Sequence, residues 1–385
     1  MNKVRLGIIG VGNMGSGHYD KIMKGETPEI ELVAVADLKE SRRQVAKEKL
    51  PESVAIFESA EELIESGLCD AVLIATPHYD HPKFTMMALE KGLHVLCEKP
   101  AGVYTKQVRQ MNEFAATKDL VFAMMFNQRT NHVYRKMHEM VHSGKYGQIK
   151  RVNWIVTDWY RSQAYYNSGG WRATWDGEGG GVLLNQCPHN LDLIQWICGM
   201  PSKVTAFCHE GKWHDIEVED DVTAYLEYPN GATGVFVTTT ADLPGTNRFE
   251  ITLDKAKMVC ENNELKVFEL DVAEREACFT TTEGFLKPKG QWLEIETDGL
   301  NPQHSGVINA FAARILRGEP LVAEGYEGIN GLTLSNAMHL SSWLGKTIEL
   351  PFDEDLFLEE LNKKRQSSKK KENVVESTFN TEGSY

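Results

Sequence analysis

Two short segments of the chain hold side chains able to move a proton. The first is Cys97-Glu98-Lys99-Pro100-Ala101, at the end of an apolar run that starts at His94. Such a run reads as a buried parallel strand, and ligands gather at strand ends in open α/β sheets. Partial burial at that edge disfavours a charged amine, so Lys99 can bind a substrate oxygen and relay a proton. The plainer alternative is a surface lysine. The second segment is Gly179-Gly180-Gly181-Val182-Leu183-Leu184-Asn185-Gln186-Cys187-Pro188-His189-Asn190-Leu191-Asp192. Its glycines let the chain bend and approach closely. Pro188 suits the first turn of a helix and Gly199 its end. His189 then lies near the helix start. Asp192, three residues on, shares its face and is expected to orient the imidazole. A structural, hydrogen-bonded histidine is the alternative.

What the pair acts with is written at the start of the chain. A strand-like run, Val4 to Ile9, breaks into Gly10-x-Gly12-x-x-Gly15, and Asp37 ends the next apolar run, Leu32 to Ala36. This is dinucleotide spacing: Gly10 for the tight turn, Gly12 for close approach of a pyrophosphate, Gly15 for helix packing. Asn13 and Met14 fall in the first helical turn. Asp37 accepts both ribose hydroxyls, which favours NAD over NADP. Arg42 and Arg43 weaken that preference unless they are a solvated helix face. A nicotinamide beside Lys99 further disfavours its charge, and His189 suits proton removal from an alcohol during hydride transfer.

Other residues fall near the same edge. Asn127-Gln128-Arg129 follows the strand Val121 to Phe126, and either contacts the nicotinamide amide or substrate or caps a loop. His78-x-Asp80-His81 invites a metal reading, but no further ligand is apparent and no metal is expected. Asp80 is expected to cap the helix that Pro82 opens. Trp159, Arg161, Tyr165, Tyr166, Trp171, Arg172 and Trp175 crowd the stretch before the glycines. Aromatic faces stack on sugar C–H surfaces and Arg forks hold hydroxyls, so a substrate wall is expected, against core or interface packing. Gln303-His304, at a late helix start, is placed near the same site.

The elements needed to position these residues can be read from pattern. The first third alternates strands and helices, which gives a doubly wound parallel sheet of Rossmann type. Beyond about Lys150, Val152 to Thr157, Lys203 to Cys208, Val222 to Tyr228, Thr233 to Thr240 and Phe249 to Leu253 read as neighbouring antiparallel strands, with a hairpin at Pro229-Asn230-Gly231. The expected fold is thus α/β, with a large, mostly antiparallel open sheet in a C-terminal α+β domain. We divide the chain into 1–126, which binds NAD, 127–361, which binds substrate and oligomerises, and a charged, flexible tail, 362–385. Gly306 to Leu316 and Gly328 to Trp343 are late helices, the second placed to return to the first domain.

Composition bounds the rest. A chain of 385 residues suggests two ordinary domains. A net charge of −14 argues against nucleic acid. Seven cysteines without a CxxC pair fit a reducing cytoplasm. No apolar run approaches a membrane span, and the first strand leaves no room for a signal peptide.

On Gly10-Val11-Gly12-Asn13-Met14-Gly15, Ala75-Thr76-Pro77 with His81, Glu98-Lys99-Pro100, and Gly180 to Asp192, the chain resembles a known family. It is the glucose–fructose oxidoreductase and inositol dehydrogenase family of NAD(P)-dependent sugar and polyol dehydrogenases, and the likeness spans roughly residues 3–350. The resemblance implies that Lys99 and His189 are the catalytic pair, with His189 the proton acceptor. It places cofactor contacts at Thr76, Pro77, His78, His81 and Glu98 besides those above, and implies homodimers or homotetramers. Many members have an aspartate four residues before the histidine; here it is Asn185, which binds a hydroxyl but takes no proton. The expected reaction is oxidation of a secondary hydroxyl of a sugar, polyol or glycoside to a ketone, leaning to C3 of a pyranose. The alternatives are an enzyme that recycles bound NAD through a keto intermediate, and a non-catalytic sugar-binding regulator.

Overall fold

The computed structural model describes residues 3–369, 371 and 374. Six parallel strands build the first sheet: β1 Val4–Ile9, β2 Ile30–Ala36, β3 Ala55–Phe57, β4 Ala71–Ile74, β5 His94–Cys97 and β6 Phe122–Met124. Their order is β3-β2-β1-β4-β5-β6, so the direction of winding reverses between β1 and β4. That reversal opens a crevice at the strand ends, the usual ligand position in such sheets. All four residues of β4 are buried, which is why it reads as an unbroken apolar run.

The second sheet has nine strands: β7 Ile149–Val156, β8 Lys203–Glu210, β9 Glu219–Glu227, β10 Thr233–Thr239, β11 Asn247–Leu253, β12 Ala256–Glu261, β13 Glu264–Leu270, β14 Gly290–Glu294 and β15 Ile348–Glu349. Their order is β14-β13-β12-β11-β7-β10-β9-β8-β15. The five strands expected from pattern are present, and Gly231, at φ +85°, closes the hairpin between β9 and β10. One pairing departs from expectation: β7 lies parallel to β10. Alternation along the strands separates the faces. Trp154, Phe236 and Phe249 face the core, with Trp154 stacked on Phe249 at 4.2 Å. Ile155, Phe207 and Tyr225 are exposed.

The late elements extend one expectation and correct another. The helix Gln303–Arg317 covers the first sheet, its Val307, Ile308 and Phe311 packing with Leu6 and Ile8 of β1. The helix Gly328–Leu344 reaches the first domain as expected and also packs on the second sheet. Its Asn336 bonds Val103 and Thr105, while Ser341 and Ser342 bond the backbone of β8. The predicted free tail also begins too early. A helix, Glu354–Ser367, continues past 362, capped by Asp353 and anchored by buried Phe357 and Leu361. Its basic residues meet acidic groups of the same chain. Lys364 pairs with Glu210 at 2.7 Å and Arg365 with Asp176 at 3.1 Å. Ser368 Oγ and Lys369 N donate to Glu217, and Lys371 Nζ donates to the Tyr166 carbonyl. The remainder of the expected tail lies outside the described residues.

Candidate active site

The glycine turn is shaped by contacts that only glycine permits. Gly10 has φ +89°, and a Cβ there would lie 2.7 Å from the Ala75 carbonyl oxygen. A Cβ on Gly15 would lie 1.8 Å from the Gly10 carbonyl oxygen. Gly12 differs: nothing stands within 4 Å of its added Cβ, and it forms the N-cap of the helix Asn13–Met23, so Asn13 and Met14 open that helix. Open space at a helix N-terminus is a cradle for a pyrophosphate. Asp37 closes it, with Oδ2 accepting from Val11 N and Oδ1 from Lys39 N, each at 2.9 Å. Arg43 donates to the carbonyls of Asp37 and Leu38 at 3.0 and 2.9 Å, which ties it to the backbone. These residues fit a dinucleotide.

The end of β4 supports this edge through backbone. Thr76 and Pro77 lead into a short helical turn, His78–Asp80. The ring nitrogens of His81 face the carbonyls of Thr76 at 2.8 Å and Pro100 at 2.7 Å. Burial lowers its pKa against the pull of those carbonyls. Its ring therefore joins the β4 end to Lys99-Pro100. His78 turns to the glycine segment, where Nδ1 donates to the Glu178 carbonyl at 3.3 Å, and it packs edge-on to Trp171. Asp80 occupies the N-cap of the next helix but its side chain makes no capping bond, another correction.

Glu98 points into the interior. Oε1 lies 2.6 Å from Nε2 of buried His18, and Oε2 accepts the backbone N–H of Lys99 at 3.0 Å. Burial works to raise its pKa, but the His18 bond and neighbouring charges overcome this and hold it at about 2. Its carboxylate thus braces the Lys99 backbone. His304, expected to touch substrate, packs against His18 at 5.3 Å. Burial and the charges of His18 and Lys99, against Glu98, take its pKa down to about 3.

Lys99 and His189 lie close enough for the lysine's charge to act on the imidazole. Lys99 Nζ donates to the Asn185 carbonyl at 3.1 Å, and burial lowers its pKa. His189 sits in the first turn of the helix Pro188–Cys198, which ends at Gly199. Its ring is 3 % exposed, yet neither nitrogen has a hydrogen-bond partner among the described residues. Burial first, then the charge of Lys99, pushes its pKa well below the usual histidine range, so the ring is neutral and able to accept a proton. Asp192 does not orient it. Both Asp192 oxygens bond Arg129, at 2.7 and 2.8 Å, in a pair sealed from solvent. The shared helix face was right; the neighbour on that face is Arg129.

A cavity of about 460 Å³ opens at His189, walled by Trp159, Arg161, Asn190, Gln128 and Gln303. Trp159 Nε1 donates to Asn190 at 3.0 Å, and Arg161 lies over the rings of Trp159 and Tyr165. Arg172 lies over Tyr165 and Trp171 and donates to the Tyr165 hydroxyl. That hydroxyl donates to Asn185 Oδ1 at 3.3 Å. Asn127 and Gln128 both donate to Gln303 Oε1, which spans from the start of its helix at φ +50°. Trp175 is corrected out of the wall: it is 2 % exposed and packs on His339 and Trp343, with Nε1 donating to the Glu217 carbonyl.

Two residues escaped the sequence reading. His18 gave no local signal of its partner. Glu178 stands immediately before the glycine run, a position that could have marked it.

Comparison with known proteins places this geometry. Residues 4–126 match an oxidoreductase family with an NAD-binding Rossmann fold, and residues 134–259 match the GFO/IDH/MocA C-terminal domain. The chain is 24% identical to a myo-inositol 2-dehydrogenase of Thermotoga maritima over 90% of its length and 98% of the relative. It is 28% identical to a D-glucoside 3-dehydrogenase of Escherichia coli over 59% of its length and 68% of the relative. Among solved structures, the WlbA dehydrogenase of Chromobacterium violaceum, in complex with NADH and UDP-GlcNAcA, superposes with a TM-score of 0.77 at 26% identity, covering 92% of this chain and 97% of that one. The crevice between β1 and β4, the glycine cradle and the Lys99–His189 pair belong to one scaffold: the chain is a member of the GFO/IDH/MocA oxidoreductase family, with an NAD-binding Rossmann domain and a C-terminal domain built on a mostly antiparallel sheet.

Proposed function

We propose that the protein oxidises a secondary hydroxyl of a sugar, polyol or glycoside to a ketone, with NAD as hydride acceptor. The observation that carries this reading is His189: a buried, neutral imidazole with both nitrogens unpartnered among the described residues, facing a polar cavity beside Lys99. Groups so placed are costly unless a ligand completes them. NAD, held by the glycine cradle and Asp37, would supply the oxidising power as acceptor of the hydride from the carbinol carbon. Lys99 Nζ holds the substrate oxygen, His189 accepts its proton, and the C–O bond becomes C=O as the C–H bond breaks. Trp159 and Tyr165, with Arg161 and Arg172 over them, hold the ring, and Asn185 holds a hydroxyl.

Asp37 at the cradle and Arg43 tied to the backbone support NAD over NADP. The D-glucoside 3-dehydrogenase relative supports C3 of a pyranose as the first position to test. Exposed Ile155, Phe207 and Tyr225 on the open sheet face support a homodimer or homotetramer, checked by light scattering. Seven free cysteines support a reducing compartment.

The test is absorbance of NADH with a panel of free sugars, inositols and glycosides, each with NAD and NADP. NAD-dependent turnover of at least one is expected. Silence throughout, with ligands still bound, would overturn the reading in favour of a regulator.

A further inference from the structure

Glu178 is a buried carboxylate at the site to which the reaction above gives no part. Its side chain is 2 % exposed. Oε2 accepts Ala173 N at 2.5 Å, and Oε1 accepts the side-chain amide Nδ2 of Asn185. Arg172 approaches Oε1 at 3.9 Å. A carboxylate only accepts, so it forces the NH₂ of Asn185 toward itself. Asn185 Oδ1 is thereby turned to the donors Tyr165 Oη at 3.3 Å and Gln186 Nε2 at 3.1 Å. The same residue's backbone carbonyl receives Lys99 Nζ at 3.1 Å. Asn185 is therefore a bridge: the lysine on its backbone, the carboxylate on its side chain.

We infer that Glu178 is a positioning residue for Lys99, fixing the Asn185 amide and supplying the negative charge that keeps the buried lysine able to hold a proton at the substrate oxygen. This deepens the proposed function and rests on it. Charge accounting supports it. Lys99 is surrounded by Glu98 and Glu178, which favour its proton, and by Arg161 and Arg172, which oppose it. His189, His78 and His304 also feel its charge, and Cys187 lies close. Glu98 is already committed to His18. Glu178 is the other carboxylate in that set, facing Arg172, Lys371 and Tyr166. Burial raises its pKa, and Arg172 and its hydrogen bonds work to keep it ionised. A residue serving only the turn at Ala173, where φ is +54°, would need one oxygen and no charge.

The experiment titrates Lys99 in the full chain without any substrate. Trace acetic anhydride labels neutral amines, and mass spectrometry of the Lys99 peptide gives the pH of half-labelling. Glu178→Gln is expected to move that pH down by about one unit, since removal of a nearby carboxylate disfavours the ammonium. The double variant Glu178→Gln with Asn185→Asp exchanges donor and acceptor across the same bond and returns the charge. It is expected to label at or above the wild-type pH, and it serves alone if the single variant does not fold. An unmoved half-labelling pH in Glu178→Gln, or a double variant still shifted down, overturns the inference. On whichever sugar the wild type oxidises, Glu178→Gln is expected to lower kcat/KM at least about tenfold, mostly in kcat, with partial recovery in the double variant. A silent wild type would remove the dehydrogenase reading, and the labelling result would still decide the link from Glu178 to Lys99.

Discussion

Oε1 of Glu98 and Nε2 of His18 lie 2.6 Å apart with both side chains sealed from solvent, so the residue before Lys99 is anchored to the helix that follows the glycine turn. Removing one partner of such a pair leaves the other uncompensated, and Glu98→Gln is expected to cost about 3 kcal/mol in urea unfolding at pH 7. The pH dependence has a definite sign. The folded pKa, about 2, lies below the reference value of 4.5, so this carboxylate stabilises fully above pH 4.5 and its contribution is lost as pH falls through about 2. The variant should lack that part of the acid decline. Parallel stability curves for both proteins over this window would contradict the pairing.

His189→Ala and Lys99→Ala should each lower kcat by about 10²–10⁴-fold, the usual scale for losing a positioned proton-transfer group. NADH affinity, followed by fluorescence, should remain within a few-fold in both, because neither residue shapes the glycine cradle. Undiminished turnover in both variants would sink the mechanism.

Asp192→Asn separates structure from chemistry. Its bidentate bond to Arg129 is buried, so the substitution should cost about 3 kcal/mol of stability. Since Asp192 makes no bond to His189, the acid limb of kcat/KM should keep its position. A limb that moved by a full unit would restore Asp192 as partner of the imidazole.

The glycines of the first turn should fail in different ways. Gly15→Ala drives a methyl to 1.8 Å from the Gly10 carbonyl oxygen, and should yield unfolded or poorly expressed protein. Gly12→Ala meets no protein atom within 4 Å, so Tm should hold while NADH binding falls by tenfold or more. Calorimetry and titration on the same sample distinguish the two.

Truncation after Ser367 tests the C-terminal segment. The described contacts it removes are hydrogen bonds near the surface, each worth about 1 kcal/mol net, so Tm should change little. The segment nonetheless contacts Glu217 and the Tyr166 carbonyl, next to the aromatic wall. Hydrogen exchange should quicken in residues 163–178 and KM should rise. Exchange there equal to the full chain's would show that the segment holds nothing.

Local signals were legible where one residue's chemistry dictates its place. Gly10, Gly15, Pro188 and Gly199 were readable because backbone conformation and close approach admit few alternatives. Lys99 was readable because a strand end in an open sheet is a ligand position whatever the fold around it. Helical spacing put Asp192 on the face of His189, but spacing says nothing about Arg129 arriving from a segment remote in sequence. Aromatic density drew notice to the stretch that includes the cavity-lining Trp159, yet Trp175 and Trp159 look alike until burial separates them. The parallel pairing of β7 with β10 is likewise a long-range choice that alternation alone does not encode. The tail was misread because its acidic partners, Asp176, Glu210 and Glu217, are distant in the chain.

The helix Gln303–Arg317 lies far along the chain but packs on β1, one of the first strands made. The two units are therefore interlaced, and neither is a cassette. A fragment ending at residue 126 would leave Leu6 and Ile8 without Val307, Ile308 and Phe311 over them. During synthesis, that face stays uncovered until the last fifth of the polypeptide emerges. Anyone exchanging cofactor domains between relatives must therefore carry this helix with the strands it covers, because the join lies in space and not at a single point in the sequence.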